Sequence, residues 1–336
     1  MGGGLDSWSL AYEDIISVEN LLDAWQEFKR GKRKRADVQE FGRYLMQNVL
    51  ELHDKLASGT YQHGGYEHFK ISDPKPRDIH KANVCDRLLH HAIYRKLYPF
   101  FDQTFIFDSY SCRNEKGTHK ALNRFRAYAH RASGYRTKTV WILKCDIRKF
   151  FASIDQKVLM QIVGRYISDE RILALVANIV SSFCATPGVA HVGLPLGNLT
   201  SQLLVNIYMN EFDQFVKHTL KVKYYIRYAD DFIILSHDKN HLVKTLPYME
   251  VFLRDKLKLE MHPNKVSIST LASGVDFLGW VHFPDHRVLR TATKRRMFRA
   301  LQINKNKPEV LHSYLGLLSH GNAHKLQDKI IFTAVC

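Results

Sequence analysis

YYIRYADDFIIL, residues 224–235, sets two aspartates side by side between two runs of strand-forming apolar and aromatic residues. Such a pattern predicts a β-hairpin whose turn carries Asp230 and Asp231. Adjacent carboxylates repel, and burial disfavours their charged forms further. A hard divalent cation such as Mg²⁺ relieves this, because it takes carboxylate oxygens and keeps waters for a phosphate substrate. Two neighbouring aspartates are more commonly a solvated turn. Here both flanks are strongly apolar, which argues that the base of the turn is buried.

One hairpin supplies too few ligands for two ions, so a third carboxylate is expected from another strand end. TVWILKCDIRKFFASID, residues 139–155, opens with a short apolar strand over 140–143 and then presents Asp146. Helical spacing follows over 156–183 and 200–219, with Asn198 or Thr200 as a cap for the second. After the hairpin come a helix over 240–258 and a strand pair, VSIST and VDFLGWVHF. The order strand–helix–strand–strand–helix–strand matches a ferredoxin-like antiparallel sheet with helices on one face, an α+β architecture. In that sheet the first strand lies beside the central hairpin. Asp146 and Asp230 are then expected to share two ions roughly 4 Å apart, the arrangement that supports in-line phosphoryl transfer. Phe151, five residues after Asp146, is placed to wall a sugar pocket and to clash with a ribose 2′-hydroxyl, although an aromatic after a strand is ordinarily core.

The rest of the chain agrees with a polyanionic substrate. It has 336 residues, 45% of them hydrophobic, and a net charge of +16. That is enough for a sizeable core, and the charge favours a nucleic-acid partner. Five scattered cysteines without a CxxC pair argue against a cysteine zinc site and for reduced thiols in a cytosol. No signal segment and no membrane-length apolar run occur, so no membrane partner and a cytoplasmic location are expected. Residues 13–30 read as an amphipathic helix ending in the basic run KRGKRKR, and a second helix is expected over 37–57. Residues 58–78 read as a hairpin or loop region, 84–100 as a helix stopped near Pro99, and the chain from about 291 as a basic helical tail.

Six segments in order across about residues 70–320 resemble the consecutive motifs of reverse transcriptases. They are FDSYSCRNEKGTHKAL, CDIRKFFASID, GLPLGNLTSQLLVNIYMNEFD, YADD, HPNKVSI and VDFLGW. The resemblance implies a right-hand polymerase, with N-terminal helices and fingers over 1–139, a ferredoxin-like palm over 140–285 and a short helical thumb over 286–336. It implies RNA-directed DNA synthesis with two Mg²⁺ ions, for which Mn²⁺ may substitute, held at Asp146, Ile147, Asp230 and Asp231. Lys265 matches the lysine that protonates the leaving pyrophosphate. Arg77 matches the fingers arginine on the incoming dNTP, assisted by Lys70 or Lys75, and a guanidinium fork suits phosphate. Phe151 matches the sugar gate, and Leu196, Gly197 and Gln202 fall in the block lining nucleotide and template. Tyr228 is implied at the primer end, Phe277, Leu278 and Gly279 in the primer grip, and Arg113 on primer or template.

Two departures narrow the resemblance. Leu196 stands where glutamine is usual, and Gln202 stands where proline is usual. An aliphatic residue followed by G-x-x-x-S-Q is similar to the enzymes of diversity-generating retroelements, as is SYLGLLSHGNAHKL near the end of the chain. Those enzymes misincorporate opposite template adenines. They work with a template-repeat RNA and a small basic accessory protein that forms a pentameric barrel. Residues 24–35 and 291–299 are candidate contact surfaces. The chain ends soon after the thumb, which disfavours a group II intron protein, and the NAxxH and VTG strings of retron enzymes do not occur. A defence-associated reverse transcriptase is the alternative, and a catalytically idle nucleic-acid scaffold is disfavoured by the intact aspartates.

Overall fold

The computed structural model describes residues 10–72, 76–185, 191–304 and 307–335. In chain order it contains α1 (Tyr12–Ile16), α2 (Val18–Phe28), α3 (Ala36–Arg43), α4 (Leu45–Ala57), β1 (Tyr66–Ile71), β2 (Arg77–Ala82) and α5 (Val84–Thr104). There follow α6 (Thr118–Ala132), β3 (Trp141–Asp146), α7 (Phe150–Ser153), α8 (Gln156–Gly164), α9 (Glu170–Ser181) and α10 (Leu199–Gln214). The remainder is β4 (Tyr225–Tyr228), β5 (Asp231–Ser236), α11 (Lys239–Leu257), β6 (Ser267–Thr270), β7 (Val275–Phe277), β8 (Trp280–His282), β9 (Arg287–Leu289), α12 (Thr291–Ile303), α13 (Pro308–Leu318) and α14 (His324–Val335). No helix among the described residues is long and apolar enough to cross a membrane.

The chain divides into two compact units. The first comprises residues 1–107, 147–215 and 250–260. It is mainly helical, with α5 packed against α2 and α10, and it carries the β1–β2 hairpin. Several helices differ from their expected extents for local reasons. The helix expected over 13–30 breaks at Ser17, whose hydroxyl accepts the Asn20 N–H and caps α2. That expected over 37–57 breaks at Tyr44. α5 does not stop near Pro99 but continues to Thr104. Proline forfeits one helical hydrogen bond, and burial of Phe101 beyond it offsets that loss. The helix expected over 156–183 is two helices, with Asp155 and Asp169 accepting backbone N–H groups at their N-termini. Asn198 precedes α10, yet its side chain does not cap it; the amide instead donates to the His80 carbonyl at 3.1 Å.

The second unit comprises residues 108–146, 216–249 and 261–336. Its four-stranded sheet has the order β4-β5-β3-β6, with every pairing antiparallel. Numbered from β3, this is the strand order of the ferredoxin-like sheet, with the first strand beside the central hairpin as expected. The segments VSIST and VDFLGWVHF do not pair with each other. β6 borders β3, whereas β7, β8 and β9 form a separate three-stranded sheet. α6, unforeseen in the sequence, packs on β4 and β5. Phe125 and Tyr128 from α6, Ile226, Ile233, Phe277, Trp280, Leu318 and Ile330 belong to one buried cluster, so one apolar core joins both sheets to the helices from α12 onward.

Candidate active site

The register of the four-stranded sheet brings the acidic residues together. Asp146, the last residue of β3, lies directly opposite Asp231, the first of β5. Tyr228 on β4 also pairs with Asp231, and Ala229 and Asp230 form the two-residue turn between them. Asp231 rather than Asp230 is thus the cross-strand neighbour of Asp146, and facing Cβ atoms in such a pair sit about 5 Å apart. Ala229 adopts φ 55°, the left-handed conformation that a tight hairpin demands of its first central residue. The run Phe232–Leu235 is buried on both faces of β5, so a slip by one residue would exchange side chains between two packed faces.

The electrostatics at this end of the sheet are unbalanced. Burial, then the charge of Asp230, pushes the Asp231 carboxyl up to about 6; Lys144 opposes the shift and Asp146 adds to it. Asp146 is only 7% exposed. Its Oδ1 accepts a hydrogen bond from Lys265 Nζ at 2.8 Å. The loop bearing that lysine is tied to the same residue, since the His262 N–H donates to the Asp146 carbonyl at 2.7 Å and the Lys265 N–H to the His262 carbonyl at 3.0 Å. Lys144 Nζ donates to the Asp276 carbonyl at 2.6 Å, tying β3 to the strand β7. Among the described residues no three acidic, histidine or cysteine side chains form a ready-made metal cage. On Asp146 the counter-charge is the Lys265 ammonium. The donor set nevertheless suits a hard divalent ion: three carboxylates, one of them held toward its protonated form by burial and by the charge of Asp230.

One residue here escaped the sequence reading. Arg227 on β4 is fully buried, and its guanidinium donates to the Ala229 carbonyl at 3.1 Å and to Ser109 Oγ at 3.0 Å. The Arg227 N–H donates to the Asp108 carbonyl, and the Tyr110 N–H to the Arg227 carbonyl. Asp108 is itself a buried carboxylate that accepts from Arg124 Nε at 2.7 Å and from the Tyr110 and Tyr128 hydroxyls. The turn that carries Asp230 therefore rests on a buried polar network. Its one sequence signal was a charged residue inside a strand that otherwise reads as apolar.

The other expected residues of this unit are placed as follows. The Tyr228 hydroxyl hydrogen-bonds with Thr118 Oγ1 at 3.1 Å. Half-buried Arg113 donates to the Ser109 carbonyl at 3.0 Å. Phe277 is core, stacked on Phe125 with ring centroids 5.8 Å apart. Leu278 (φ 51°) and Gly279 (φ 86°) form the β7–β8 turn, both in the left-handed region that a type I′ hairpin requires.

In the first unit, Arg77 and Lys70 are exposed on the β1–β2 hairpin. The register pairs Arg77 with Ile71 and Lys70 with Asp78, so the two cations sit on opposite faces. Lys75 lies outside the described residues. Phe151 is half-exposed and meets the buried Phe150 edge-on, with centroids 5.5 Å apart, so it is not simply a core residue. Ile147 is buried. The Leu196 carbonyl accepts the His80 N–H at 3.2 Å, which straps this loop to β2. Gly197 has φ 112°, and a Cβ there would stand 3.1 Å from Ile79, so both conformation and close approach call for glycine. Gln202 is half-buried in the first turn of α10.

Comparison with known proteins gives a consistent picture. A family model described as "Reverse transcriptase (RNA-dependent DNA polymerase)" matches residues 71–282. Protein YkfC of Escherichia coli (strain K12) is 26% identical over 295 residues, covering 77% of this chain and 74% of that protein. The group II intron-encoded protein LtrA of Lactococcus lactis subsp. cremoris is 23% identical over 352 residues, covering 84% of this chain and 55% of its own. The chain thus spans about half the length of an intron-encoded relative, from a class that the sequence reading disfavoured. Telomerase from Candida albicans, solved with a TWJ fragment of telomeric RNA, aligns with a TM-score of 0.54 at 12% identity, over 87% of this chain and 59% of that one. Apo telomerase from Candida tropicalis aligns with a TM-score of 0.50 at 12% identity, over 74% and 60%. The two structural matches share the right-hand polymerase fold. With a family match over more than half its length, the chain belongs to the reverse transcriptases and is an RNA-directed DNA polymerase.

Proposed function

We propose that this chain copies an RNA template into cDNA from dNTPs at the Asp146–Asp230–Asp231 cluster, in the error-prone manner of diversity-generating retroelement enzymes. The observation that supports the site is the strand register that puts Asp146 opposite Asp231 beside the Asp230 turn. A divalent ion held by these carboxylates would lower the pKa of the primer 3′-hydroxyl and neutralise charge on the triphosphate. The 3′-hydroxyl would give its proton to solvent water as its oxygen attacks the α-phosphorus, the bond from that phosphorus to the bridging oxygen of the β-phosphate breaks, and pyrophosphate leaves. Lys265 gives up its ion pair with Asp146 to donate a proton to that leaving group. Arg77 holds the triphosphate, with Lys70 or Lys75 assisting. Leu278 and Gly279 seat the primer, with Tyr228 at its end and Arg113 beneath. Fingers, palm and thumb correspond to 1–139, 140–285 and 286–336. The +16 charge holds the template–primer duplex through its backbone. A template-repeat RNA and a small basic accessory protein are its partners, the basic segments 24–35 and 291–299 are candidate contact surfaces, and the chain works in a prokaryotic cytoplasm.

Phe151 is the sugar gate in this reading, and its half-exposed ring supports that role. Phe151→Ala raises ribonucleotide incorporation roughly ten- to a hundredfold, measured by alkali cleavage of the product, while dNTP use changes little. An unaltered ribonucleotide content removes Phe151 from the pocket.

The subclass rests on Leu196 and Gln202. An aliphatic side chain at 196 offers no hydrogen bond to brace the nucleotide's surroundings, which leaves base geometry loosely policed. Sequencing the products of primer extension on an RNA template tests this. Wild type errs mainly opposite adenine, and Leu196→Gln lowers those errors roughly tenfold, equivalent to about 1.4 kcal/mol of discrimination. An identical error spectrum in the two proteins contradicts the subclass reading and leaves the polymerase reading standing.

A further inference from the structure

In the second unit, α6, the turn between β8 and β9 and the loop between α13 and α14 line a cavity of about 420 Å³. That volume lies within the roughly 300–1,000 Å³ typical of ligand pockets. Its lining is cationic. The two cations are Arg126 from α6 and Arg287 from β9, while His282, whose pKa burial lowers to about 4, adds a neutral ring. Asp285 is the only acid among the described lining residues, and it pairs with Arg136 at 3.1 Å. The close wall depends on Gly321, where a Cβ would stand 2.0 Å from the Trp280 ring. A glycine there lets the loop bring His320 down over Arg287.

Two polar atoms at this cavity are buried with no hydrogen-bond partner among the described residues: Arg287 Nη1 and His282 Nε2. The rest of the Arg287 head is fixed. Nε donates to the His320 carbonyl, Nη2 donates to Asn123 Oδ1 at 3.3 Å, and the guanidinium lies 5.6 Å from the Trp280 ring centroid. Both side-chain bonds go to neutral oxygens, so they leave its charge uncompensated. Burial, then the neighbouring charge of Arg126, lowers the Arg287 pKa. His282 is 3% exposed, with its ring 4.3 Å from that of Phe125. A buried polar atom without a partner is costly, a charged donor such as Arg287 Nη1 more so than the accepting Nε2 of a neutral His282. Two guanidiniums lining one cavity are stabilised by an anion that takes donors from several directions.

We propose that this cavity binds a phosphate group, held by the Arg287 Nη1 donor and by Arg126, with a bound water bridging the phosphate to the accepting Nε2 of the neutral His282. A tetrahedral phosphate presents oxygens to both arginines at once, which suits their forked donors. The phosphate comes from a nucleic-acid backbone or from a free phosphate in solution. Anion binding itself does not depend on the polymerase reading.

The test uses full-length protein in two titrations: inorganic phosphate by calorimetry, and an RNA–DNA duplex by fluorescence anisotropy across a salt series. Arg126 is exposed, so Arg126→Gln leaves the core intact, and Arg287→Lys keeps the charge but not the fork. Arg131→Gln, exposed at the end of the same helix and outside the cavity lining, is the control for bulk charge. A backbone phosphate predicts that Arg126→Gln weakens duplex binding about three- to tenfold and reduces the salt slope by about 1, while Arg131→Gln does neither. Loss confined to the phosphate titration assigns the site to free phosphate. Variants that match wild type in both titrations, or an equal loss in Arg131→Gln, overturn the proposal.

Discussion

Asp231→Asn reduces nucleotide incorporation at least about a thousandfold and at the same time stabilises the metal-free protein at neutral pH. The loss follows from removing one of three carboxylates where charge must be offset during phosphoryl transfer, a contribution worth about 4 kcal/mol or more. The gain follows from the sign of the Asp231 shift. Its folded pKa of about 6 lies above the ordinary value of 3.8, so the folded state holds a proton that the unfolded state releases. The folded protein is therefore favoured below about pH 4 and loses that advantage as pH rises through 6. At pH 7 the ionised side chain costs up to about 3 kcal/mol, less to the extent that water reaches it. Asparagine keeps the shape without the charge. Thermal unfolding in a chelator should show the variant melting a few degrees above wild type at pH 8, with the difference about halved at pH 5 and closing near pH 4. Parallel pH profiles would show that Asp231 is not held in this electrostatic environment.

The second large effect is expected at Arg227, which touches no substrate in this account. Arg227→Ala removes two charged hydrogen bonds, leaves the Ala229 carbonyl and Ser109 hydroxyl without them, and opens a void in a fully buried position. The expected loss of stability is about 3 kcal/mol or more. In the fraction that remains folded, kcat falls about a hundredfold while KM for dNTP changes little, because a displaced turn misplaces Asp230 rather than the binding groups. Arg227→Lys restores part of kcat, since one ammonium still reaches one of the two acceptors. A loss of stability with kcat per folded molecule unchanged would reduce Arg227 to a packing residue.

The hairpin and its pairing with β3 were legible in the sequence because they rest on local pattern. Short unbroken runs of aromatic and branched apolar residues on both sides of Asp230 and Asp231 specify buried strands. The helix breaks at Ser17 and Tyr44 were not legible, since the apolar periodicity runs through both. Pro99 misled for the opposite reason: the local rule is sound, but tertiary burial of Phe101 overrides it. The sheet membership of VSIST and VDFLGWVHF was also hidden. Both read as strands, and their partners are fixed by contacts over a hundred residues away in the case of β6 and β3. Arg227 was missed because a charged residue in a strand ordinarily faces water, and Asp108 because a carboxylate in a turn ordinarily does so too. Only the fold reveals that the Arg227 N–H meets the Asp108 carbonyl and that Arg124 and two tyrosine hydroxyls hold the Asp108 carboxylate.

The most direct measurement is extension of a DNA primer annealed to an RNA template, with dNTPs and Mg²⁺, by wild type and by Asp230→Asn matched for folded content. The account predicts cDNA reaching the template end with wild type, and no extension with the variant or when Mg²⁺ is withheld. Equal extension by the two proteins would contradict the assignment of the Asp146–Asp230–Asp231 cluster as the site of synthesis.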